Sequence, residues 1–327
     1  MLAYISRRFL YMLVMLLMGS MVAFMVITLP PGDYMTSYIQ QLKSRGEDVG
    51  VEQEMALRRQ YGLDYPLPVQ YVKWLTQLLQ GNMGRSFLWG KQVNVVLGQR
   101  IMPTILISLA TLIITYAIAV PIGIYSAVRQ YSIFDYVFTV VGFAGVSVPE
   151  FLLAMVLMVF AYRNFHVTIG GLFSDPFIDA PWSAAKVLDL LRHLPVPLAV
   201  ISLGGTAYLI RVMRAMLLDE LPKPYVQTAR AKGLKETRLL VKYPIRVALN
   251  PIASTLGWAL PALFSGQVIV AVVLNLPTIG PVLYQSLMTE DMFLASSTVF
   301  ISMALTLVGT LLSDILLAWL DPRIRFV

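Results

Sequence analysis

Glu150 is the side chain whose type and position ask most of this chain. It lies within Tyr136–Tyr162, a run that holds no other charge and is otherwise built for lipid. A carboxylate at mid-bilayer costs roughly 2.5–3.5 kcal/mol on insertion scales, so it faces protein, water or a partner. Pro149, just before it, has no N–H to give and opens the helix there. Two uses fit such a group. It lines a path and meets a substrate amine, or it caps freed backbone N–H groups or pairs with an arginine of another subunit. Asp314 sits two turns from the inner end of the last apolar run. Beside Arg211 or Arg214 it would tie helix ends together, the alternative being a part in proton movement. His166 and His193 stand apart, outside the apolar runs, and have no ligand-spaced partner, so no metal site is expected. Zero cysteines exclude disulfides and thiolate chemistry. No serine sits in a G-x-S-x-G frame, and no glycine pattern ends in Gly-Lys-Ser/Thr, so the chain carries no P-loop. The methionines of the first and third apolar runs (Met12, Met15, Met18, Met21, Met25; Met155, Met158) recur every three to four residues, a stripe for packing or lipid rather than a metal relay. Catalytic residues, bound cofactors and metals are therefore not expected in this chain.

A second cluster of charge is a loop. Between Leu218 and Asn250 there are seven Lys or Arg (Lys223, Arg230, Lys232, Lys235, Arg238, Lys242, Arg246) against Asp219, Glu220 and Glu236. Pro222 and Pro224 suit the start of a helix and Gly233 its end. The eight residues Tyr225–Lys232 between them would make a helix of about 12 Å, too short to stand alone in water. On it Tyr225, Ala229 and, just beyond, Leu234 offer small apolar surface, while Arg230 and Lys232 project charge. Such a knob, held just outside a membrane, fits a socket in another protein.

The elements that must carry these groups are membrane spans. Of 327 residues, 57% are hydrophobic and only 13% charged, about half the charge of a soluble domain. The net charge of +7 has its clearest cluster between apolar runs, where basic residues fix topology, so nucleic acid is not a partner. Arg7 and Arg8 precede the uncharged Phe9–Leu29, too long for a signal core and followed by no A-x-A site, hence an uncleaved first span (residues 1–29) with a cytoplasmic N-terminus. Residues 30–100 form a long polar outer segment. The core, 101–327, holds spans at Ile101–Val128, Tyr136–Tyr162, Leu194–Leu217, near Pro251–Leu274 and at Met292–Leu320, with a second outer loop at 163–194. The uncharged stretch Val247–Thr289 would almost hold two spans, but the break at Asn275–Pro281 argues for one. Six spans put Arg7, Arg8, Arg129, the 218–250 loop, Arg323 and Arg325 on one side, and Glu290 and Asp291 on the other. Seven would not. The expected fold is all-α, a polytopic membrane protein of six transmembrane helices.

YVQTARAKGL at 225–234, followed by KYPIRVALNP at 242–251, resembles the cytoplasmic coupling loop (the EAA loop) of ABC importer permeases, in the oligopeptide/dipeptide/nickel branch. Gln227 replaces the glutamate of the broader motif and Arg246 its late proline. PPGD at 30–33, YGLDYPLPVQYVKWL and GNMGRSF resemble the periplasmic segment of that branch, with Tyr34 in place of a proline and Pro31 extra. LPTIGPVL through LLSDILLAWLDPRIR resembles its final outer helix and closing span, with Thr278 where glycine is usual. The resemblance implies the type I ABC importer permease fold and an ATPase-coupling interface at Tyr225, Val226, Thr228, Ala229, Arg230, Ala231, Lys232, Gly233 and Leu234. Its implied partners are a second homologous permease, two ATP-binding subunits that hold ATP and Mg, an extracytoplasmic solute-binding protein and the lipid bilayer. The implied place is a bacterial or archaeal cytoplasmic (inner) membrane with both termini cytoplasmic, and the cargo oligopeptides or dipeptides. Oligosaccharides or a nickel chelate are the alternative cargo. An ion-driven secondary transporter is the rival class, but it needs internal repeats and mid-depth ionisable groups, and only Glu150 qualifies.

Overall fold

A computed structural model describes residues 2–28, 55, 59, 64–166, 169–178, 180–265 and 268–320. The elements are α1 (Leu2–Thr28), α2 (Leu67–Leu79), α3 (Val93–Val128), α4 (Ile133–Ser147), α5 (Glu150–Phe165), α6 (Ala184–His193), α7 (Pro195–Glu220), α8 (Pro224–Ala231), α9 (Glu236–Lys242), α10 (Pro244–Ser265), α11 (Val268–Val273), α12 (Ile279–Met288) and α13 (Met292–Leu320). They group into two compact units, one of Ile105–Pro277 with the chain from Gly309, the other of Leu2–Thr104 with Thr278–Val308. The PPGD turn, most of the 30–63 stretch and the closing Asp321–Arg325 lie outside the described residues.

The apolar runs became helices, with altered bounds. Among the described residues, four helices are long and apolar enough to cross a membrane, and a fifth span is counted if α4 and α5 are taken together. These two meet at a bend of 102°. The bend follows from the local chemistry. Pro149 has no N–H to continue the ladder and disfavours helical backbone at Val148, which sits extended at φ −91°, ψ 124°. The expected second span, Ile101–Val128, starts earlier, at Val93, giving 36 residues or about 54 Å of helix. The expected fifth span near Pro251–Leu274 is divided. Its first part, α10, keeps Pro251 and Pro261 inside, and the chain resumes as α11. Beyond it, Asn275 adopts left-handed backbone (φ 49°) at the foreseen break, and α12 follows. The 163–194 segment, expected on the outer side, includes α6, which Ser183 caps by accepting from the Lys186 N–H.

In the first unit α7 is the organising helix, packed by α4, α5, α6 and α10. It sends Leu198, Val200 and Ile201 into one apolar cluster with Ile107, Ala154, Val270 and Leu274. Leu209, Ile210, Met213 and Leu217 enter a second cluster with Ala119, Ala127, Ala248 and Ile252. Lipid is as apolar as leucine, so close backbone approach, not water exclusion, must hold such helices together. Gly123 on α3 supplies it. A Cβ there would lie 2.6 Å from Met213 Cβ and 3.0 Å from the Ile210 carbonyl oxygen. Gly123→Val is therefore expected to destabilise by about 1–3 kcal/mol, the cost of overpacking. Gly98→Ala on the same helix meets nothing within 4 Å and should stabilise by about 0.5–1 kcal/mol. Thermal midpoints in detergent, opposite in sign for the two, check this.

In the second unit, Phe24 of α1 meets Tyr71 and Trp74 of α2 at ring separations of 5.6 Å, with Phe300 of α13 against Trp74 at 6.1 Å. Asp291 is fully buried. It accepts from the Ser86 hydroxyl at 2.7 Å, the Leu88 N–H at 3.1 Å and the Leu294 N–H at 3.2 Å, which pins the GNMGRSF turn to the start of α13. On α1 the methionine stripe stays outward: Met15, Met18, Met21 and Met25 are all exposed.

Candidate functional site

The loop between α7 and α10 is built by its own sequence. Pro224 opens α8, where a missing N–H costs nothing. Gly233 ends it with φ +75°, donating to the Arg230 carbonyl at 3.0 Å while Leu234 donates to Ala229 at 3.4 Å. This pair of bonds is a Schellman ending, which requires left-handed backbone and commonly folds the next apolar residue back on the helix. Leu234 does fold back, joining Val226, Ala229, Leu239 and Leu240 in a cluster bordered by Leu221, Tyr243 and Ile245. The expected helix, Tyr225–Lys232, and the observed one differ by one residue at each end.

The outward face is not the one expected. Ala229 is 5% exposed and Val226 fully buried, so both hold the loop together and offer little to a neighbour. The reading of Ala229 as apolar docking surface is corrected on this point: α9 brings Leu239 and Leu240 to cover it. Tyr225, Thr228, Arg230, Ala231, Lys232 and Gly233 remain exposed. Arg230 forks onto Glu236, Nη2 to Oε1 at 2.6 Å and Nε to Oε2 at 3.1 Å. The guanidinium holds the Glu236 carboxyl below its usual range. The support this gives is in place above the ordinary glutamate range and fades as pH falls through the lowered value.

Glu220, at the end of α7, fastens the loop to its helix by accepting from Lys223 Nζ and from the Tyr225 hydroxyl. Burial, with the carboxylate beside it, pushes the Tyr225 phenol up to about 12, so it stays a donor at any working pH. Removing the acceptor leaves both donors without it at the α7–α8 joint. Glu220→Ala is expected to loosen the loop by about 1–3 kcal/mol, read as faster tryptic cutting after Arg230 and Lys232 in the intact protein.

Arg214 and Arg211, placed by sequence beside Asp314, find other neighbours. Arg214 forks onto Asp135 of α4, with both N···O distances 3.0 Å. Asp135 is 2% exposed and also accepts from the Tyr131 N–H at 3.0 Å. The Arg211 guanidinium lies 5.2 Å from the Phe143 ring centre, within cation–π range. Asp135 was not foreseen, because 79 residues separate the pair and nothing local couples them. Its one local signal was Ser132 three residues earlier, which caps α4 by accepting the Asp135 N–H.

Glu150 is the first residue of α5 and borders a cavity of about 350 Å³ between α3, α5, α7 and α10. Among the described residues its carboxylate has no hydrogen-bond or ion-pair partner. The capping use expected of it is limited to the favourable end of the helix dipole. The described residues hold no group of three or more His, Asp or Glu that would bind a metal.

Comparison with known proteins follows the whole length of the chain. The family model described as "Binding-protein-dependent transport system inner membrane component" matches residues 119–326, and that described as "Binding-prot-dependent transport system membrane comp, N-term" matches 1–99. The chain is 37% identical over 99% of both lengths to a provisionally named peptide permease protein of Brucella suis biovar 1 (strain 1330). It is 33% identical, again over 99% of both, to the oligopeptide transport system permease protein AppB of Bacillus subtilis (strain 168). The matched region takes in the capped loop, the bent helix pair and α13 alike, as a shared architecture requires. The chain belongs to the family of binding-protein-dependent transport system inner membrane components.

Proposed function

We propose that this chain is the permease subunit of an ATP-driven importer of peptides, and that the loop of α8 and α9 is where ATP hydrolysis in a separate subunit reaches it. The observation that carries the reading is the build of α8. It is a short helix closed by proline and glycine, supported by a core of its own and anchored to α7 through Glu220. A rigid projection of this kind transmits a push; a loose basic loop would absorb it. Its exposed rim of Tyr225, Arg230, Ala231 and Lys232 surrounds little free apolar area, so the partner is expected to supply the walls of the contact. Two ATP-binding subunits, holding ATP and Mg, would grip this loop and its equivalent on a second permease, and a solute-binding protein would deliver cargo from outside. The relatives' names, which mention peptides, support that cargo. The test is uptake of a labelled tripeptide by vesicles carrying the assembled transporter. Vanadate should stop it and a protonophore should not. The reverse pattern would favour an ion-driven carrier.

A further inference from the structure

The cavity beside Glu150 holds more than one group in want of a partner. Thr111 of α3 borders it, is 1% exposed, and its hydroxyl has no hydrogen-bond partner among the described residues. Tyr116, one and a half turns on, places its hydroxyl 2.6 Å from Thr255 Oγ1. The single proton of Thr255 goes to the Ile252 carbonyl at 2.7 Å, so Tyr116 donates to Thr255 and keeps its own oxygen as an acceptor. Every polar group named here is thus an acceptor, or free to act as one. The remaining wall includes Tyr208 and Trp258, whose rings meet edge to face at 5.7 Å. A carboxylate, oxygen acceptors and aromatic faces together recognise a compact cation with several N–H donors. A phosphate or a carboxylate would meet the charge of Glu150 with no lysine or arginine in the lining to offset it. An uncompensated carboxylate in such a place is costly, and an incoming ammonium offsets that cost on arrival. The volume, about 350 Å³, is at the small end for ligand sites, enough for the leading residues of a peptide.

We propose that this cavity is a transit site for a primary ammonium group, the protonated amino terminus of a peptide, with Glu150 as its counter-charge and the oxygens of Thr111 and Tyr116 as further acceptors. The assignment rests on the peptide reading above. Gly204 of α7 sets the room for the carboxylate, since a Cβ there would stand 3.1 Å from Glu150 Oε1.

The test uses the complete importer in proteoliposomes, with tri-alanine and N-acetyl-tri-alanine as probes. Glu150→Gln should lower the maximal uptake of tri-alanine by about tenfold or more, the loss expected when one member of a desolvated charge pair is removed. Half-saturation and binding-protein-stimulated ATP hydrolysis should stay near wild type. Glu150→Asp should recover part of the rate, and Tyr116→Phe should reduce it less than Glu150→Gln does. Uptake of the acetylated peptide should not fall further on Glu150→Gln. Unchanged tri-alanine uptake in Glu150→Gln would overturn the proposal. So would an equal fractional loss for both peptides, which would make Glu150 a support for the helices rather than a contact for the amine. Failure of the wild type to carry tri-alanine at all would instead count against the peptide reading.

Discussion

Ala229→Glu is expected to remove ATP-driven uptake while leaving the chain inserted in the membrane. The reason lies inside the loop. Ala229 is one of four buried residues in the loop's core, and a carboxylate there has no cation inside that core to pair with. Its burial costs several kcal/mol, comparable with what the few buried side chains of the cluster supply, so α8 separates from α9. Each 1.4 kcal/mol is tenfold in population, and a loop ordered only a small fraction of the time transmits little motion. Ala231→Glu is the control. That site is exposed, so the loop should stay folded, and any loss of uptake then belongs to the contact with the ATP-binding subunit. Gly233 gives a second handle on the same element. At φ +75° with open space around it, it tolerates asparagine, which visits left-handed backbone, but not a β-branched residue. Gly233→Asn should retain most transport and Gly233→Val should lose it, with tryptic cutting of the loop following the same order.

The second large effect is expected at Asp135. Its carboxylate is buried while the Arg214 side chain is 27% exposed, and the two meet through parallel hydrogen bonds. Asp135→Asn keeps an acceptor for the Tyr131 N–H but leaves the guanidinium without its counter-charge. Breaking a buried pair from one side costs about 3–5 kcal/mol, and the partial exposure of Arg214 puts the expected loss at the lower end. Tyr131, at φ +64°, keeps that acceptor in Asp135→Asn, so its backbone should stay in place. Pairing Asp135→Asn with Arg214→Met should restore part of the stability, because both charged groups then leave together. Thermal midpoints of the two single variants and the double variant form the cycle. A double variant as unstable as the sum of the singles would mean that the two residues do not act as a pair.

What could be read from the residues differs by element. The spans announced themselves because an uncharged run of that length has few other uses, and proline and glycine marked both ends of α8. Pro149 gave the break between α4 and α5, but its 102° angle depends on what α7 offers each half, which no local pattern records. The inward turn of Ala229 was hidden for a related reason. An eight-residue helix with alanines at 229 and 231 has no apolar stripe strong enough to tell a self-buried face from a docking face. Leu239 and Leu240, which decide the matter, lie on another helix. Arg214 was legible as a residue that needs an anion, but its partner was not, since charge pairing across 79 residues is set by the fold alone. Glu150 was legible as an anomaly, and the neighbours that give the anomaly a chemistry come from α3, α7 and α10.

The absence of native cysteine makes one measurement especially clean. A Lys232→Cys chain, assembled with its transporter in intact cells, is treated with a short bifunctional maleimide that crosses membranes, and separately with a maleimide that does not. A cross-link is expected to a cysteine placed in the groove of the ATP-binding subunit, with arrest of peptide uptake once the link forms and no labelling from outside. Labelling by the impermeant reagent, or undiminished uptake with the link in place, would contradict it.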